Sequence, residues 1–461
     1  MAPASEAHRT HPLSALLQGL LWGAAIVAGL VWQVLDFDDP NWWALAAVPV
    51  GFVAGVVAGY VGWFFTRYVI DEQEIRIERG VLFKSSRRIP FERLQSVDIN
   101  EPLVARLVGL AELTIEMAGG SESRTRLQFV TLAEARRLRR LLLARAHGSE
   151  LVEGDPVPVE HRRILHVVPP DQVIIGTLLS LDFIVTVLAA LGSLAFGLFT
   201  ETGWAVLGVL IPAVWGVSQM ILNRIVAQWN FTVSRGDRGL RIERGLLSRS
   251  SQTIPYDRVQ GIAVVEPLIW RRFGWARLDV DVAGYGVVTD ESGGISSTTL
   301  LPIAPRDAAD RLVDVLIPDP ERGHGDRVAP PPRSRLFAPI GWRFRWLGST
   351  RSTVTTGTGW ITRRRAIVPH HKVQSVEFSQ GPLQRRLGLA SVEVHTPDGP
   401  VSAAIPHLDA LEARRVTFEQ VERSRLARRS TAADVALGGG VEGADELTGV
   451  QPPLGQDDLL G

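Results

Sequence analysis

Asp182 lies inside an apolar stretch that runs from Gln172 to Thr200 and holds no other charged residue. Counted along a helix at 1.5 Å per residue, it sits about 15 Å from Gln172. A carboxylate at mid-depth in a hydrocarbon layer costs roughly 3 kcal/mol and needs a partner or a wet cavity. Gln219, in a later apolar stretch, lies at similar depth, so the spacing predicts an Asp182–Gln219 hydrogen bond between two helices. A proton or solute path is the functional reading of the same pair, and a shifted helix end that puts Asp182 near the interface is the third reading. Arginines form the second group with chemical potential. Arg136, Arg137, Arg139, Arg140 and Arg145 fall on one predicted helix, and Arg414, Arg415, Arg423, Arg425, Arg428 and Arg429 on another. Arg363, Arg364 and Arg365 fall in a predicted turn. Anionic headgroups attract such bases by about 1 kcal/mol each, within a Debye length of the surface. The lipid-contacting set is therefore Arg136, Arg137, Arg140, Arg363, Arg364, Arg365, Arg414 and Arg415. The plain alternative is solvated helix faces in a chain with 47 Arg and two Lys.

Other chemistries are not indicated. Cysteine is absent, which removes disulfides, thiolate zinc sites, iron–sulfur clusters and a cysteine nucleophile. No Walker loop, nucleophile elbow, H-E-x-x-H helix or kinase set occurs. His370 and His371 are adjacent, and neighbours on a strand point to opposite faces, so they read as loop histidines rather than joint metal ligands. Aromatics do not interleave with the arginines as a nucleic-acid stacking platform requires. No catalytic residue, cofactor or metal is expected, and the chain reads as a non-enzyme.

Four apolar runs surround these residues: Leu13 to Leu35, Asn41 to Thr66, Gln172 to Thr200 and Thr202 to Asn223. Each is about as long as the 20 residues that cross a bilayer core. The composition agrees, with 46% hydrophobic and only 21% charged residues in 461. The short connections, Asp36 to Pro40 and the turn at Glu201, hold no Lys or Arg. By the positive-inside rule, everything else faces the cytoplasm, both termini included.

The chain repeats itself three times. Ile89-Pro90-Phe91-Glu92-Arg93-Leu94-Gln95 recurs as Ile254-Pro255-Tyr256-Asp257-Arg258-Val259-Gln260 and again as Val368-Pro369-His370-His371-Lys372-Val373-Gln374. Fourteen residues after each Gln stands a glycine: Gly109, Gly274 and Gly388. Arg76-Ile77-Glu78-Arg79-Gly80 recurs at Arg241 to Gly245, whereas the third copy diverges there. Within a copy, Glu74 to Glu78 and similar segments alternate with period two, as half-buried strands do. Each copy then closes with a predicted helix, the first opening on a capping-box pattern at Thr131-Leu132-Ala133-Glu134. The prolines and glycines of the motif, with Gln95, Gln260 and Gln374, read as folding determinants rather than a binding site. The glycines are expected at backbone angles closed to other residues.

A sheet or partial barrel closed by a C-terminal helix is pleckstrin-homology-like. The motif Arg-Ile-Glu-Arg-Gly, Ile-Pro-(Phe/Tyr)-x-Arg-x-Gln and Pro-Leu-x-x-Arg-x-x-Gly resembles bacterial pleckstrin-homology (PH) domains of YdbT-like membrane proteins. The resemblance covers roughly residues 10 to 430. The expected fold is an α+β membrane protein with four transmembrane helices in two hairpins and three cytoplasmic PH-like domains. Its plan is an N-terminus (1–12), hairpin 1 (13–66), domain 1 (67–150), a linker (151–171) and hairpin 2 (172–226). Domain 2 (227–317), a Pro-rich linker (318–335), domain 3 (336–430) and a disordered acidic tail (431–461) follow. The expected role is a scaffold or envelope-associated assembly factor at the bacterial cell membrane. Its partners would be the bilayer, its anionic headgroups and another membrane or cytoplasmic protein. Homo-oligomers are compatible with this reading, and an oligomeric export component is the alternative.

Overall fold

The computed structural model describes residues 7–9, 19, 23, 43–65, 67–71, 73–79, 85–117, 124–146, 163–199, 203–236, 239–283, 299–397, 399 and 401–438. The chain divides into two compact units. One comprises Met1–Val259, Val264–Leu316 and Asp398–Pro400; the other comprises Gln260–Ala263, Ile317–Pro397 and Val401–Gly461.

In the first unit, strand β1 (Ala7–Arg9) and helix α1 (Trp43–Phe64) precede β2 (Arg67–Ile70), β3 (Glu74–Arg79) and β4 (Ser85–Pro90). The four strands form an antiparallel sheet in the order β1-β2-β3-β4. Ile75 and Ile77 are buried on one face of β3 while Glu74 and Arg76 stay half-buried on the other, the period-two pattern of the sequence. A 3-10 turn (Phe91–Arg93) leads into β5 (Leu94–Glu101), α2 (Leu103–Leu107), β6 (Leu110–Met117), β7 (Arg124–Thr131) and α3 (Leu132–Ala146). The Thr131 hydroxyl accepts the Glu134 N–H at 3.3 Å and starts α3. Leu138 and Leu142 then reach a core of Ile75, Ile89, Phe91, Leu113 and Leu127. Each fully buried aliphatic of this kind contributes roughly 1.5–3 kcal/mol relative to exposure.

The second repeat begins with β8 (Arg163–Val167), α4 (Pro170–Leu178), α5 (Leu181–Phe199) and α6 (Gly203–Ile221), which runs into a π-turn at Leu222–Val226. It continues through β9 (Thr232–Arg235), β10 (Gly239–Arg244) and β11 (Arg249–Pro255) to a 3-10 turn at Tyr256–Arg258. Strand β12 (Val259–Pro267), α7 (Leu268–Arg272), β13 (Trp275–Val282), β14 (Thr299–Pro305) and α8 (Arg306–Leu316) complete it. The first two repeats share a seven-stranded sheet, β7-β6-β5-β11-β10-β9-β8. Its seam is the antiparallel pairing of Glu101, Asn100 and Ile99 with Arg249, Ser250 and Ser251.

The second unit carries β15 (Asp326–Val328), β16 (Trp346–Ser349), β17 (Thr353–Thr358) and β18 (Thr362–Pro369). A 3-10 turn (His370–Lys372) leads to β19 (Ser375–Ser379), α9 (Pro382–Arg386), β20 (Leu389–His395), β21 (Ala403–Asp409) and α10 (Ala410–Gly438). The sheet β19-β20-β21 has β19 at its edge. Helix α10 passes residue 430, where a disordered tail was expected to begin, and continues to Gly438. Residues 318–335, expected as a linker, include β15 and the start of a 3-10 turn (Pro332–Leu336).

The expectation of four transmembrane helices is not met. Among the described residues, no single helix is long and apolar enough to cross a membrane. One bent pair, Pro170–Leu178 with Leu181–Gly197, passes by length and composition only when its halves are joined across a 52° bend. The bend has a local cause. The Ser180 hydroxyl donates to the Thr177 carbonyl at 2.7 Å and accepts the Phe183 N–H at 3.3 Å, so a serine cap starts a new helix inside the apolar run. The neighbouring runs carry interior prolines, Pro49 in α1 and Pro212 in α6. The stretch Leu13 to Leu35, apart from Gly19 and Gly23, and the turns at 36–40 and 201 lie outside the described residues.

Candidate functional site

Asp182 stands in the first turn of α5, and its partner is a residue that the sequence reading did not choose. Arg224 donates to its carboxylate at 2.7 Å and to the Ser180 hydroxyl at 3.0 Å. Gln219 is half-buried on α6. The position at a helix N-terminus already favours a negative charge. Arg224 is the first basic residue after the fourth apolar run, which is the one signal in the sequence that could have found it. Nearby, a cavity of about 40 Å³ lies between Thr177, Arg224, Gln228 and Trp270. That volume suits a water or two rather than a substrate. The Trp270 indole N–H closes one wall by donating to the Gly176 carbonyl at 3.0 Å.

The arginines separate into three settings. On α3, Arg136, Arg137 and Arg140 are exposed, opposite the buried Ala135, Leu138 and Leu142. Two other arginines of the helix are held by groups beyond it: Arg139 donates to the Thr253 hydroxyl at 2.7 Å, and the exposed Arg145 to the Asp71 carbonyl at 2.5 Å. Arg363, Arg364 and Arg365 belong to strand β18 and not to a turn. Arg363 is exposed and the other two are half-buried, and alternation along a strand denies the three a common face. On α10, Arg414, Arg415, Arg425 and Arg429 are exposed. The same helix exposes Leu411 (79%), Phe418 (69%), Val421 and Leu426. At 100° per residue these apolar and basic side chains occupy one outward face, which the exposed Glu422 shares and on which Arg415 pairs with Glu412 at 2.8 Å and Glu419 at 3.6 Å. The inward face is Ala413, Val416, Gln420 and Ser424.

Those inward polar groups belong to a buried cluster. His370 is fully buried, and its Nε2 lies 3.1 Å from the Thr350 carbonyl. A carbonyl only accepts, so Nε2 carries the proton and Nδ1 accepts from the Gln420 amide at 2.8 Å. Burial pushes the His370 pKa below its ordinary value. Asp319 accepts hydroxyls from Thr350 at 2.8 Å and Thr353 at 2.6 Å. Burial would raise its pKa, but these bonds, with that from Ser352, hold it below the ordinary value. His370 is thus no loop histidine; it joins the 3-10 turn to α10 and is occupied on both ring nitrogens. Among the described residues, no three His, Asp or Glu side chains gather as a metal would require.

The prolines and glycines of the repeat motif have one geometry in all three copies. Pro90, Pro255 and Pro369, at φ −63°, −64° and −64°, open the three 3-10 turns. Gly109, Gly274 and Gly388 have φ of +71°, +66° and +63°. Each glycine carbonyl accepts the N–H that begins its closing helix: Leu132 at 3.1 Å, Arg306 at 2.8 Å and Ala410 at 2.9 Å. Gln260 is buried, whereas Gln374 is exposed. Gln95 enters β5, and its side chain lies outside what is described.

These modules, an antiparallel sheet pair closed by a helix tied to a positive-φ glycine, define a protein of PH-like repeats. The bacterial PH domain family matches residues 16–146, 180–318 and 331–435. The chain belongs to that family, with three copies in tandem. It is also 24% identical, over 353 residues, to the UPF0699 transmembrane protein YdbT of Bacillus subtilis (strain 168). That match covers 68% of this chain and 70% of the relative.

Proposed function

We propose that the chain is a non-enzymatic membrane protein that acts as a scaffold, with its third module docked on anionic lipid through the outward face of α10. The observation that carries the reading is the interleaving of Leu411, Phe418 and Leu426 with Arg414, Arg415, Arg425 and Arg429 on one exposed face. Apolar side chains that enter an interface, flanked by arginines that reach its phosphates, make an interfacial helix. Membrane association has separate support. Helices α5 and α6 expose Leu188, Phe196 (71%), Ile211 and Trp215 (67%), large apolar side chains that suit a lipid environment. The YdbT relative is named a transmembrane protein. Arg136, Arg137 and Arg140 on α3 offer a second basic surface.

Because the chain has no cysteine, Phe418→Cys provides a single labelling site in the full-length protein. An environment-sensitive dye there should shift to the blue in nanodiscs with anionic lipid, and high salt should reverse the shift. Identical emission in anionic and zwitterionic nanodiscs would sink the lipid-docking reading.

A further inference from the structure

The seam between the first two repeats points to how one copy of the chain meets another. Strands β4, β11 and β18 are equivalent, each ending at the proline of the repeat motif, and β5, β12 and β19 are the equivalent strands that follow the 3-10 turn. The outer edge of β11 is taken by β5. In the second unit, which includes Gln260–Ala263, a Cβ on Gly261 of β12 would lie 3.2 Å from the Ile367 carbonyl of β18. A fifth strand thus meets a fourth strand in each unit. Among these six strands, two lie at the ends of their sheets with no described strand beyond them: β4 of the first repeat and β19 of the third.

We propose that the chain associates head to tail with copies of itself, β19 of one copy pairing antiparallel with β4 of the next. Repeating the internal register places Phe378 opposite Ser86, as Ile99 stands opposite Ser251. Ile99 is 6% exposed and Phe378 is 37% exposed. The charges also fit. Asp98 of β5 accepts the Thr253 N–H at 3.4 Å across the seam. Glu377 holds the position of Asp98, and Arg87 and Arg88 hold those of Gln252 and Thr253. An acid therefore sits on one open edge and two bases sit on the other. Their present contacts include the exposed pair of His395 with Glu377 at 3.2 Å and a long contact of Arg88 with the half-buried Glu74 at 3.9 Å. Such a contact is heterologous, so it closes a ring or extends a line. It also covers two exposed strand edges.

Full-length Ser86→Cys and Phe378→Cys chains, mixed in membranes or detergent and oxidised, test the register. Directly opposed residues lie about 4.5–5.5 Å apart between Cα atoms, within disulfide range. The mixture should give a covalent dimer several-fold above either variant alone. Glu377→Arg should abolish the native association, and a chain with Arg87→Glu and Arg88→Glu should restore it in trans. The proposal is overturned if the mixture gives no dimer above the single variants. It is equally overturned if a chain carrying both Ser86→Cys and Phe378→Cys closes only within itself and never between copies, or if Glu377→Arg leaves association unchanged.

Discussion

His370 can only be neutral where it stands, because one ring nitrogen donates to a carbonyl and the other accepts from an amide. Its folded pKa is lowered, so the unfolded chain binds the proton more readily. The stabilising contribution is complete above the ordinary histidine value of about 6.5 and is lost as pH falls below it. His370→Gln should therefore lower Tm at about pH 8, and the gap to the parent should narrow towards pH 5. A gap independent of pH would contradict the neutral assignment. Glycine positions offer a second test. A Cβ at Gly274 would meet no atom within 4 Å, so only its φ of +66° opposes substitution. Gly274→Val should lower the folded yield, with Gly274→Ala costing about 1–2 kcal/mol and Gly274→Asn less, in chemical denaturation. At Gly357 the reason is space, since the Trp346 indole fills the site where a Cβ would go. Gln260→Ala, which removes a buried amide, should cost about 1 kcal/mol.

At the scale of elements, the strands were the most legible part of the sequence. Alternation around Ile75 and Ile77 and the recurrence of Pro and Gly at fixed spacing encode the sheets and their turns locally. Membrane-length helices were not legible from apolar run length alone. A single serine cap at Ser180 divides one run, and hydropathy averaging does not register a cap. The buried cluster was illegible for another reason: Gln420 meets His370 across fifty residues of sequence, and no local pattern announces such a pair. Asp182 illustrates both limits, because its depth was counted along an unbroken helix. Its side chain is 66% exposed and Arg224 is 33% exposed, so their pair contributes about 0–1 kcal/mol. A double-mutant cycle on Asp182→Asn and Arg224→Gln should find coupling in that range. Coupling of several kcal/mol would restore a buried, functional role to Asp182.

For the molecule as a whole, the three repeats share a fold but differ in what they leave uncovered. The first leaves β4 open, the second leads with the apolar helices α4 to α6, and the third leaves β19 and the outward face of α10. Edge pairing and lipid docking use different residues of the third module, so they separate by mutation. Substitutions more than about 7–10 Å apart with no shared partner act additively. Phe418→Asp with Arg414→Glu should remove α10 protection by anionic lipid in hydrogen exchange. The Ser86–Phe378 cross-link should survive the same changes. Glu377→Arg should do the reverse, losing association while exchange in α10 still slows on anionic nanodiscs. If either change removed both signals, the edge and the helix face would form one surface. A scaffold built of separable contacts would then be the wrong description of this chain.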